Sequence, residues 1–243
     1  MTEVKDVIEL KKIIEISHKY ILDAPTQRVL EPIDTLIDIE LETKINLEKL
    51  NDVETILRNI KVFGFSKVTH RTEWHHFFSN DLVAHNVLIL IKDSNEIWIK
   101  IKNDKQIVKT AHSSFPILLR HEKKIKPQDI NYRDEFQRTI TQNYIGSFQK
   151  ECLDFSFYYK DLSFTTTLSL ADSEHSSLYQ IEFEFDGHKE NIEPPSFGTI
   201  LAIFDQMLLD VCQDKTYKLT TYTKIEWLLA INNDLLKVNL TEI

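Results

Sequence analysis

Glycine is scarce in this sequence, with four among 243 residues. Loops that cradle phosphate with backbone N–H groups need several closely spaced glycines, and neither G-x-G-x-x-G nor G-x-x-x-x-G-K-[ST] occurs. The glycine loops of P-loop and dinucleotide-binding proteins are therefore excluded. Any phosphate that this chain binds has to be held by side chains.

Cysteine is nearly absent, and long apolar runs are missing. Cys152 and Cys212 lie in no CxxC pair and show no zinc-ligand spacing, which predicts reduced, buried thiols. A membrane-spanning helix needs about 20 consecutive apolar residues, and the first residues lack the layout of a signal peptide. We expect a cytoplasmic protein without a membrane segment.

Positive charge is in the minority. The 29 Lys and Arg stand against 38 Asp and Glu, a formal net charge of -9. This balance argues against a broad nucleic-acid-binding surface and against adsorption to anionic lipid, although it leaves room for a local cationic pocket. A hydrophobic content of 42% is enough for a folded core.

Apolar residues recur at helical spacing in several segments. The first, Val4–Tyr20, leads us to divide the chain into an N-terminal helix and linker at residues 1–35 and a main domain at residues 36–243. The other predicted helices are Leu47–Lys61, Pro127–Tyr144 and Ile200–Cys212.

Short β-like runs separated by Asn, Asp and Ser turn signals make up much of the remainder. Closely spaced strands of this kind indicate a meander or barrel rather than βαβ units, so the predicted fold class is α+β. The predicted strands after the second helix are Ser66–Thr72, Trp74–Phe78, Val87–Lys92, Glu96–Asn103, Gln106–Ala111, Ser147–Tyr159, Leu162–Leu170 and Leu178–Phe185.

The segment Asp38–Ile45 alternates charged and apolar residues. In a strand, Glu40, Glu42 and Lys44 project to one side, because successive side chains point to opposite faces. A solvated strand face has the same pattern. The alternative is a ligand site, since carboxylates are the hard oxygen ligands that Mg²⁺ or Mn²⁺ prefers.

Two further segments repeat this alternation. Glu182, Glu184 and Asp186 share one face of a late strand whose other face is bulky and apolar. Lys100 and Lys102 form a cationic counterpart. Burying charges of one sign is prohibitively costly, whereas a tunnel with glutamates on one wall and lysines on another is consistent if metal and polyphosphate fill it.

The order of these motifs resembles that of the triphosphate tunnel metalloenzymes, the superfamily of the CYTH proteins, over about residues 36–230. Glu40–Lys44 is similar to the family's Glu-x-Glu-x-Lys strand. Lys100 and Lys102 stand where the family has an Arg-x-Arg strand, and Lys109, placed after a predicted hairpin turn at Asn103-Asp104, matches a lysine one hairpin later.

The resemblance continues toward the C-terminus. Arg120-His-Glu122 is similar to an Arg-x-Glu strand, and Lys150 stands where a further basic strand is expected. Asp172, Glu182 and Glu184 resemble the acidic residues of the late strands. Tyr222–Leu229 resembles the family's closing segment, with Lys224 as a last phosphate contact.

The resemblance implies an eight-stranded antiparallel β-barrel with flanking helices. In its bore the protein would hydrolyse inorganic tripolyphosphate, a nucleoside triphosphate or thiamine triphosphate with the help of Mg²⁺ or Mn²⁺. The implied metal ligands are Glu40, Glu42, Asp172, Glu182 and Glu184. The implied phosphate-binding residues are Lys44, Lys100, Lys102, Lys109, Arg120, Lys150 and Lys224. The implied catalytic residues are Glu40, Glu42, Lys44 and Lys102.

Three other functions stay open. The same tunnel could cyclise ATP to cyclic AMP, or act on the 5′ end of RNA, which would be the one nucleic-acid partner. Lysines in place of the Arg-x-Arg pair lose bidentate phosphate geometry, and Cys152 replaces a basic residue of its strand. These departures favour the third alternative, a catalytically weak module that binds nucleotide or polyphosphate.

Histidines are numerous between residues 70 and 121 but fit no zinc spacing. We interpret them as surface or strand-filling residues. The alternative is a base near the tunnel mouth. The histidines concerned are His70, His75, His76, His85, His112 and His121.

Overall fold

The structure is a computed structural model of the chain. It describes residues 30–31, 39–47, 50–79, 87–92, 97–109, 115–125, 143–174, 176–189, 192–212 and 219–241. The predicted helix Val4–Tyr20 and most of the predicted helix Pro127–Tyr144 lie outside these residues.

Strands dominate the described part of the chain. The strands are β1 (Leu30–Glu31), β2 (Ile39–Asn46), β3 (Phe65–Phe78), β4 (Val87–Lys92), β5 (Ile97–Lys109), β6 (Pro116–Ile125), β7 (Tyr144–Tyr159), β8 (Leu162–Asp172), β9 (Ser177–Lys189) and β10 (Leu219–Thr220). The helices are α1 (Leu50–Lys61), α2 (Phe197–Cys212) and α3 (Lys224–Thr241).

The strands β2 to β9 form a closed cycle of antiparallel pairings. The sheet order runs β9-β8-β7-β3-β4-β5-β6-β2, and β2 pairs back onto β9. Glu42 lies opposite Glu184 in that closing pair, and Lys44 lies opposite Glu182. The first half of β2 pairs with β6, where Glu40 lies opposite Arg120. The predicted α+β barrel with flanking helices is confirmed.

The outer face of the barrel is apolar where helices cover it. Residues of α1 and α2 pack against alternate residues of β2, β7, β8 and β9 in one core cluster. Phe155, Phe157, Phe164 and Phe183 are fully buried there, and each contributes about 1.5–3 kcal/mol by removal from water. With the apolar residues turned outward under the helices, the alternate charged residues of these strands face inward.

A second, smaller apolar cluster covers one end of the barrel. The first turns of α3 supply Ile225, Trp227 and Leu228, which pack against Phe77 and Phe148 of β3 and β7. A capping box starts this helix: the Thr223 backbone N–H donates to Glu226 Oε2 at 2.7 Å, and the Glu226 N–H donates to Thr223 Oγ1 at 3.3 Å. This cap fixes Lys224 as the first helical residue.

Two predicted strand pairs are single strands, which corrects the sequence interpretation. Ser66–Thr72 and Trp74–Phe78 are parts of β3, and Glu96–Asn103 and Gln106–Ala111 fall largely within β5. In β3 Glu73 joins the two predicted segments, and in β5 the predicted turn signal Asn103-Asp104 continues the strand instead. The predicted hairpin turn at Asn103-Asp104 is wrong, because the register with β6 shifts there without a reversal of the chain.

The structure also shows the outcome for the segments at β6 and β7, for the cysteines and for membrane-spanning helices. Arg120 and Glu122 lie within strand β6, and Tyr144, the last residue of a predicted helix, begins strand β7. Cys152 and Cys212 are buried and unbonded. None of the helices in the described residues has the length and apolar character needed to cross a bilayer.

Candidate functional site

The barrel encloses a charged cavity, which we call the tunnel. It has about 930 Å³ of space free of protein atoms, counting its open mouth. Basic and acidic side chains from β2, β3, β5, β6, β7, β9 and α3 meet in it, with two aromatic rings at the end covered by α3. The charged lining residues are Glu40, Lys44, Arg71, Glu73, Lys100, Lys102, Lys105, Arg120, Lys150, Glu182, Glu184, Lys224 and Glu226.

Arg120 joins the two glutamates of β2. Its Nη2 donates to Glu42 Oε1 at 2.7 Å, and its Nε donates to Glu40. Lys102 Nζ donates to Glu40 Oε1 at 3.0 Å, and Lys44 Nζ lies 2.8 Å from Glu42 Oε2. Burial alone would raise the pKa of Glu42, but the charges of Lys44, Arg120 and Lys102 lower it to about 2.

Glu182 of β9 is shared by three lysines. Lys44 Nζ lies 3.4 Å from its Oε2 and Lys150 Nζ lies 3.5 Å from its Oε1, while Lys224 donates directly to Oε1. Ser169 Oγ also donates to Glu182 at 2.8 Å. Burial and the charges of Lys150 and Lys44 outweigh Glu182 and lower the pKa of Lys224 to about 7. Three lysines thus surround one glutamate, and this excess of positive charge is what an anion-binding site requires.

Lysines of β5 form the opposite wall. Lys100 Nζ lies 2.8 Å from Glu122 Oε1, and Lys102 Nζ lies 2.7 Å from Glu122 Oε2. The irregularity between Asn103 and Gln106 changes which residues face inward. Lys105 therefore enters the tunnel, where its Nζ lies 2.7 Å from Glu226 Oε1 of the α3 cap.

Unlike Glu122 and Glu182, Glu184 is not paired with a basic side chain in the described structure. Among the residues that the structure describes, it accepts no hydrogen bond and forms no ion pair. Burial and the nearby charges of Glu40, Glu122 and Asp186 raise its pKa to about 8, despite an opposing effect of Lys100. A cation placed near this carboxyl group would stabilise its ionised form.

The structure brings most of the predicted site residues together. Glu40, Lys44, Lys100, Lys102, Arg120, Lys150, Glu182, Glu184 and Lys224 all line the tunnel. Glu42 is 1% exposed and lies behind them, where it holds Arg120 and Lys44.

One predicted site residue stands apart, and another lies at the edge of the described structure. Asp172 is exposed at the end of β8, where its Oδ1 accepts a hydrogen bond from Ser177 Oγ at 2.6 Å. It borders a separate cavity beside Trp74 and α3 and not the tunnel. Lys109 is the last residue of β5, opposite Pro116, and its side chain lies outside the described part of the structure.

A network on β3 was missed by the sequence interpretation. Arg71 donates to Asp154 from Nε at 2.6 Å and from Nη2 at 3.1 Å, and it also donates to Glu73. Glu73 Oε2 lies 2.8 Å from His75 Nε2. The alternation of Arg71, Glu73 and His75 was visible in the sequence, but dividing β3 into two strands at this point hid it.

The carboxylates of the tunnel supply the oxygen donors that a divalent cation prefers, but they are not arranged around one point. Within the described ranges no group of three or more His, Cys, Asp or Glu is arranged to hold a metal ion, because Glu40 and Glu182 are occupied by lysine and arginine. Glu184 has a free carboxyl group next to Glu40. Hard oxygen donors of this kind suit Mg²⁺ or Mn²⁺ once the basic partners of Glu40 have another anion to bind.

The end of the barrel away from α3 is open and acidic. Glu40, Glu122, Glu184 and Asp186 line it together with Lys124, Ile39 and Phe185. The exposed Asp186 accepts a hydrogen bond from Thr165 Oγ1 at 2.6 Å. We call this opening the acidic mouth.

Several solved structures are similar to this chain. A Hippeastrum protein with a dominant triphosphatase activity is 12% identical, with 79% of this chain and 95% of that chain covered at a TM-score of 0.49. The RNA triphosphatase domain of a mimivirus mRNA capping enzyme is 12% identical, with 72% and 89% covered at 0.45. An RNA triphosphatase from S. pombe is 11% identical, with 86% and 94% covered at 0.44.

The similarity to these structures is one of fold. At these identities the similarity extends neither to a substrate nor to a reaction. No protein-family model matches the sequence, and no curated protein matches it either.

Proposed function

We propose that this protein binds a triphosphate in the tunnel and hydrolyses it with the help of a divalent cation. One observation carries the proposal: basic side chains from five strands and one helix converge with glutamates in one enclosed space. Charge-assisted hydrogen bonds to phosphate oxygens are among the strongest that side chains make, and they strengthen in a partly buried site.

Substrate binding exchanges one set of anions for another. Without ligand, Lys102 and Arg120 are held by Glu40, and Lys150 and Lys224 are held by Glu182. Phosphate oxygens replace these carboxylates as partners of the lysines and the arginine. The bases then neutralise the charge that develops on the leaving phosphate.

The carboxylates released by this exchange are available to a cation. Glu40, Glu182 and Glu184 would hold Mg²⁺ or Mn²⁺, which when bound supplies Lewis-acid polarisation of the phosphoryl oxygens. Glu42 lies beneath these side chains on the inner face of β2 and orients Arg120 and Lys44 toward the phosphates. The alternating strand faces thus supply phosphate ligands and cation ligands from one barrel.

A substrate panel tests this proposal. With Mg²⁺ or Mn²⁺, the purified protein should release phosphate from at least one of tripolyphosphate, ATP, thiamine triphosphate and 5′-triphosphorylated RNA. Glu40→Gln should lower kcat by about 100-fold or more, because it removes a charge that acts at the reacting group. Glu151→Gln, a change on the outer face of β7, is the matched control and should retain full activity.

Folded protein that releases phosphate from none of the four compounds would rule out the hydrolase. Formation of cyclic AMP and pyrophosphate from ATP would replace hydrolysis with cyclisation. Equal activity of Glu40→Gln and wild type would show that the phosphate release comes from elsewhere.

A second function is favoured by the pairing pattern of the tunnel. Glu40, Glu42, Glu73, Glu122 and Glu182 already have basic partners, which suits a module that binds polyphosphate without turning it over. Calorimetry that shows tight tripolyphosphate binding together with no phosphate release would select this function over the hydrolase.

A further inference from the structure

His75 has a position in the tunnel that the proposed hydrolysis does not use. It projects inward from the second half of β3, is 7% exposed and lines the cavity. Its ring stacks on Phe148 of β7 with centroids 5.5 Å apart and an interplanar angle of 17°. The stacking and the neighbouring strand fix the plane of the imidazole.

The hydrogen bond to Glu73 fixes which ring nitrogen carries the proton. Glu73 Oε2 lies 2.8 Å from His75 Nε2. Burial alone would raise the pKa of Glu73, but the hydrogen bond with His75 and the charges of Arg71 and Lys150 lower it to about 2. An ionised carboxylate can only accept, so Nε2–H is the donor and Nδ1 of the neutral ring carries a lone pair.

Glu73 is itself held in place from behind. Arg71 donates to Glu73 and grips Asp154 with two nitrogens, and Asp154 accepts a further hydrogen bond from Thr167 Oγ1 at 2.7 Å. This chain of contacts crosses β3, β7 and β8. A carboxylate anchored so firmly can stabilise a positive charge on the imidazole that it holds.

Positive charge surrounds His75 in the ligand-free tunnel. Besides Glu73 on its own strand, Lys150 on β7 and Lys100 on β5 act on it, and α3 contributes Lys224 and Glu226 to the same cavity. Burial is the largest cause that lowers the pKa of His75, to about 4, and Lys150 and Lys100 add to it against the effect of Glu73. A polyanion bound to these lysines reverses the sign of that local field.

We propose that His75 is a phosphate-binding residue that takes up a proton when polyphosphate enters the tunnel. The proton comes from solvent and forms an N–H bond at Nδ1, which donates to a phosphate oxygen, while Nε2–H continues to donate to Glu73. This inference rests on the proposed function, because it needs a polyphosphate at Lys100 and Lys150. It adds one cationic donor that exists only in the loaded tunnel.

Proton uptake tests this role. Tripolyphosphate, which titrates on its own, is injected into protein with EDTA present in two buffers of different ionisation enthalpy near neutral pH. Wild type should take up about one proton more per bound tripolyphosphate than His75→Asn. The matched control is His70→Asn, a change on the same strand at a histidine whose side chain is 43% exposed, and it should behave as wild type does.

A measurement on the wild-type protein tests the same role without depending on the folding of a variant. The ring ¹⁵N signals of His75 should change from those of a neutral imidazole to those of an imidazolium when tripolyphosphate saturates the tunnel. Signals that stay neutral in the saturated protein overturn the role of His75 and leave the proposed function standing. Absence of tripolyphosphate binding both with EDTA and with Mg²⁺ overturns both.

Discussion

Individual carboxylates in the tunnel differ in how well their charge is balanced. Glu42 is surrounded by Lys44, Arg120 and Lys102, and these charges outweigh its burial and lower its pKa to about 2. Glu184 lies directly opposite Glu42 in the pairing of β2 with β9, yet its pKa is raised to about 8. One strand pair therefore carries both a well-compensated and an uncompensated carboxyl group.

Glu184→Gln should change stability in a pH-dependent way. Between the usual carboxyl pKa of about 4.5 and the folded value of about 8, the folded protein keeps a proton on Glu184 that the unfolded chain has released. The free energy of unfolding of wild type therefore falls as pH rises through this window. The glutamine variant lacks this loss, so it should be more stable than wild type near pH 8 and about equal to it near pH 4.

Urea denaturation at the two pH values, with EDTA present, measures this difference. Glu151→Gln on the outer face of the barrel should show no comparable pH effect. The explanation fails if Glu184→Gln differs from wild type by the same amount at both pH values.

The positions of individual residues show why some parts of the site could be predicted from the sequence and others could not. The inward side of β2 followed from strict alternation at Glu40, Glu42 and Lys44, and the structure places these residues where the alternation puts them. Lys105 could not be found this way, because the irregularity after Asn103 shifts it onto the inner face. Asp172 was included by resemblance alone, and it lies outside the tunnel.

The helices hold the barrel from outside through apolar side chains. Phe204 of α2 is fully buried, and its ring centroid lies 5.2 Å from that of Phe164 on β8. Asn59 of α1 donates to the Val211 carbonyl oxygen of α2 at 2.7 Å, which ties the two helices together. The wall that carries Thr165 and Thr167 therefore depends on packing on its far side.

Phe204→Ala should destabilise the protein by about 3–5 kcal/mol, because it leaves a cavity between α2 and β8 that the surrounding rings cannot fill. The change is measured as the free energy of unfolding from urea titration. Leu209→Ala on the same helix, where the side chain is 41% exposed, is the control and should cost no more than about 0.5 kcal/mol. Equal losses in the two variants would show that α2 does not support the barrel as described.

The type of most elements followed from sequence pattern, and their lengths did not. Helices α1 and α2 and strands β7 to β9 have the predicted character, since the apolar spacing on their covered faces is regular. In β3 the two predicted strands left a gap at Glu73, and in β5 Asn103-Asp104 indicated a turn. In a barrel with a charged interior, polar residues can continue a strand, so here they do not mark where a strand ends.

The tunnel as a whole is close to electrically balanced in its described part. Eight basic side chains line it. The carboxylates that line it or contact those bases are also eight, namely Glu40, Glu42, Glu73, Glu122, Asp154, Glu182, Glu184 and Glu226. A polyphosphate alone would leave these carboxylates unpaired, and a cation alone would find most of them, though not Glu184, already paired with bases. The two ligands together restore the balance.

Divalent cation and tripolyphosphate should therefore bind with positive coupling. We expect Mg²⁺ to tighten tripolyphosphate binding by about 10-fold or more, which corresponds to about 1.4 kcal/mol, and tripolyphosphate to tighten Mg²⁺ binding by the same factor. Calorimetry, corrected for the complex that the two ligands form in solution, measures both. Glu184→Gln should reduce the coupling.

Two results would contradict this expectation. After the correction, tripolyphosphate affinity could be unchanged or weakened by Mg²⁺. The coupling could also be the same in Glu184→Gln as in Glu151→Gln, which would mean that the acidic residues of the tunnel take no part in it.

Closure of the barrel was the least accessible feature from sequence. Strand patterns show which side of β2 and β9 is charged, but the two strands lie about 140 residues apart, and no local signal requires them to pair. The resemblance supplied that closure, and the pairing of Lys44 with Glu182 confirms it.

Among the described residues, α3 covers one end of the barrel and the acidic mouth lies at the other. A polyanion that enters through this mouth passes Glu40, Glu122 and Glu184 before it reaches the lysines, and negative charge there repels it. Orthophosphate released by the proposed hydrolysis binds the same lysines as the next substrate molecule, so accumulating phosphate should slow turnover.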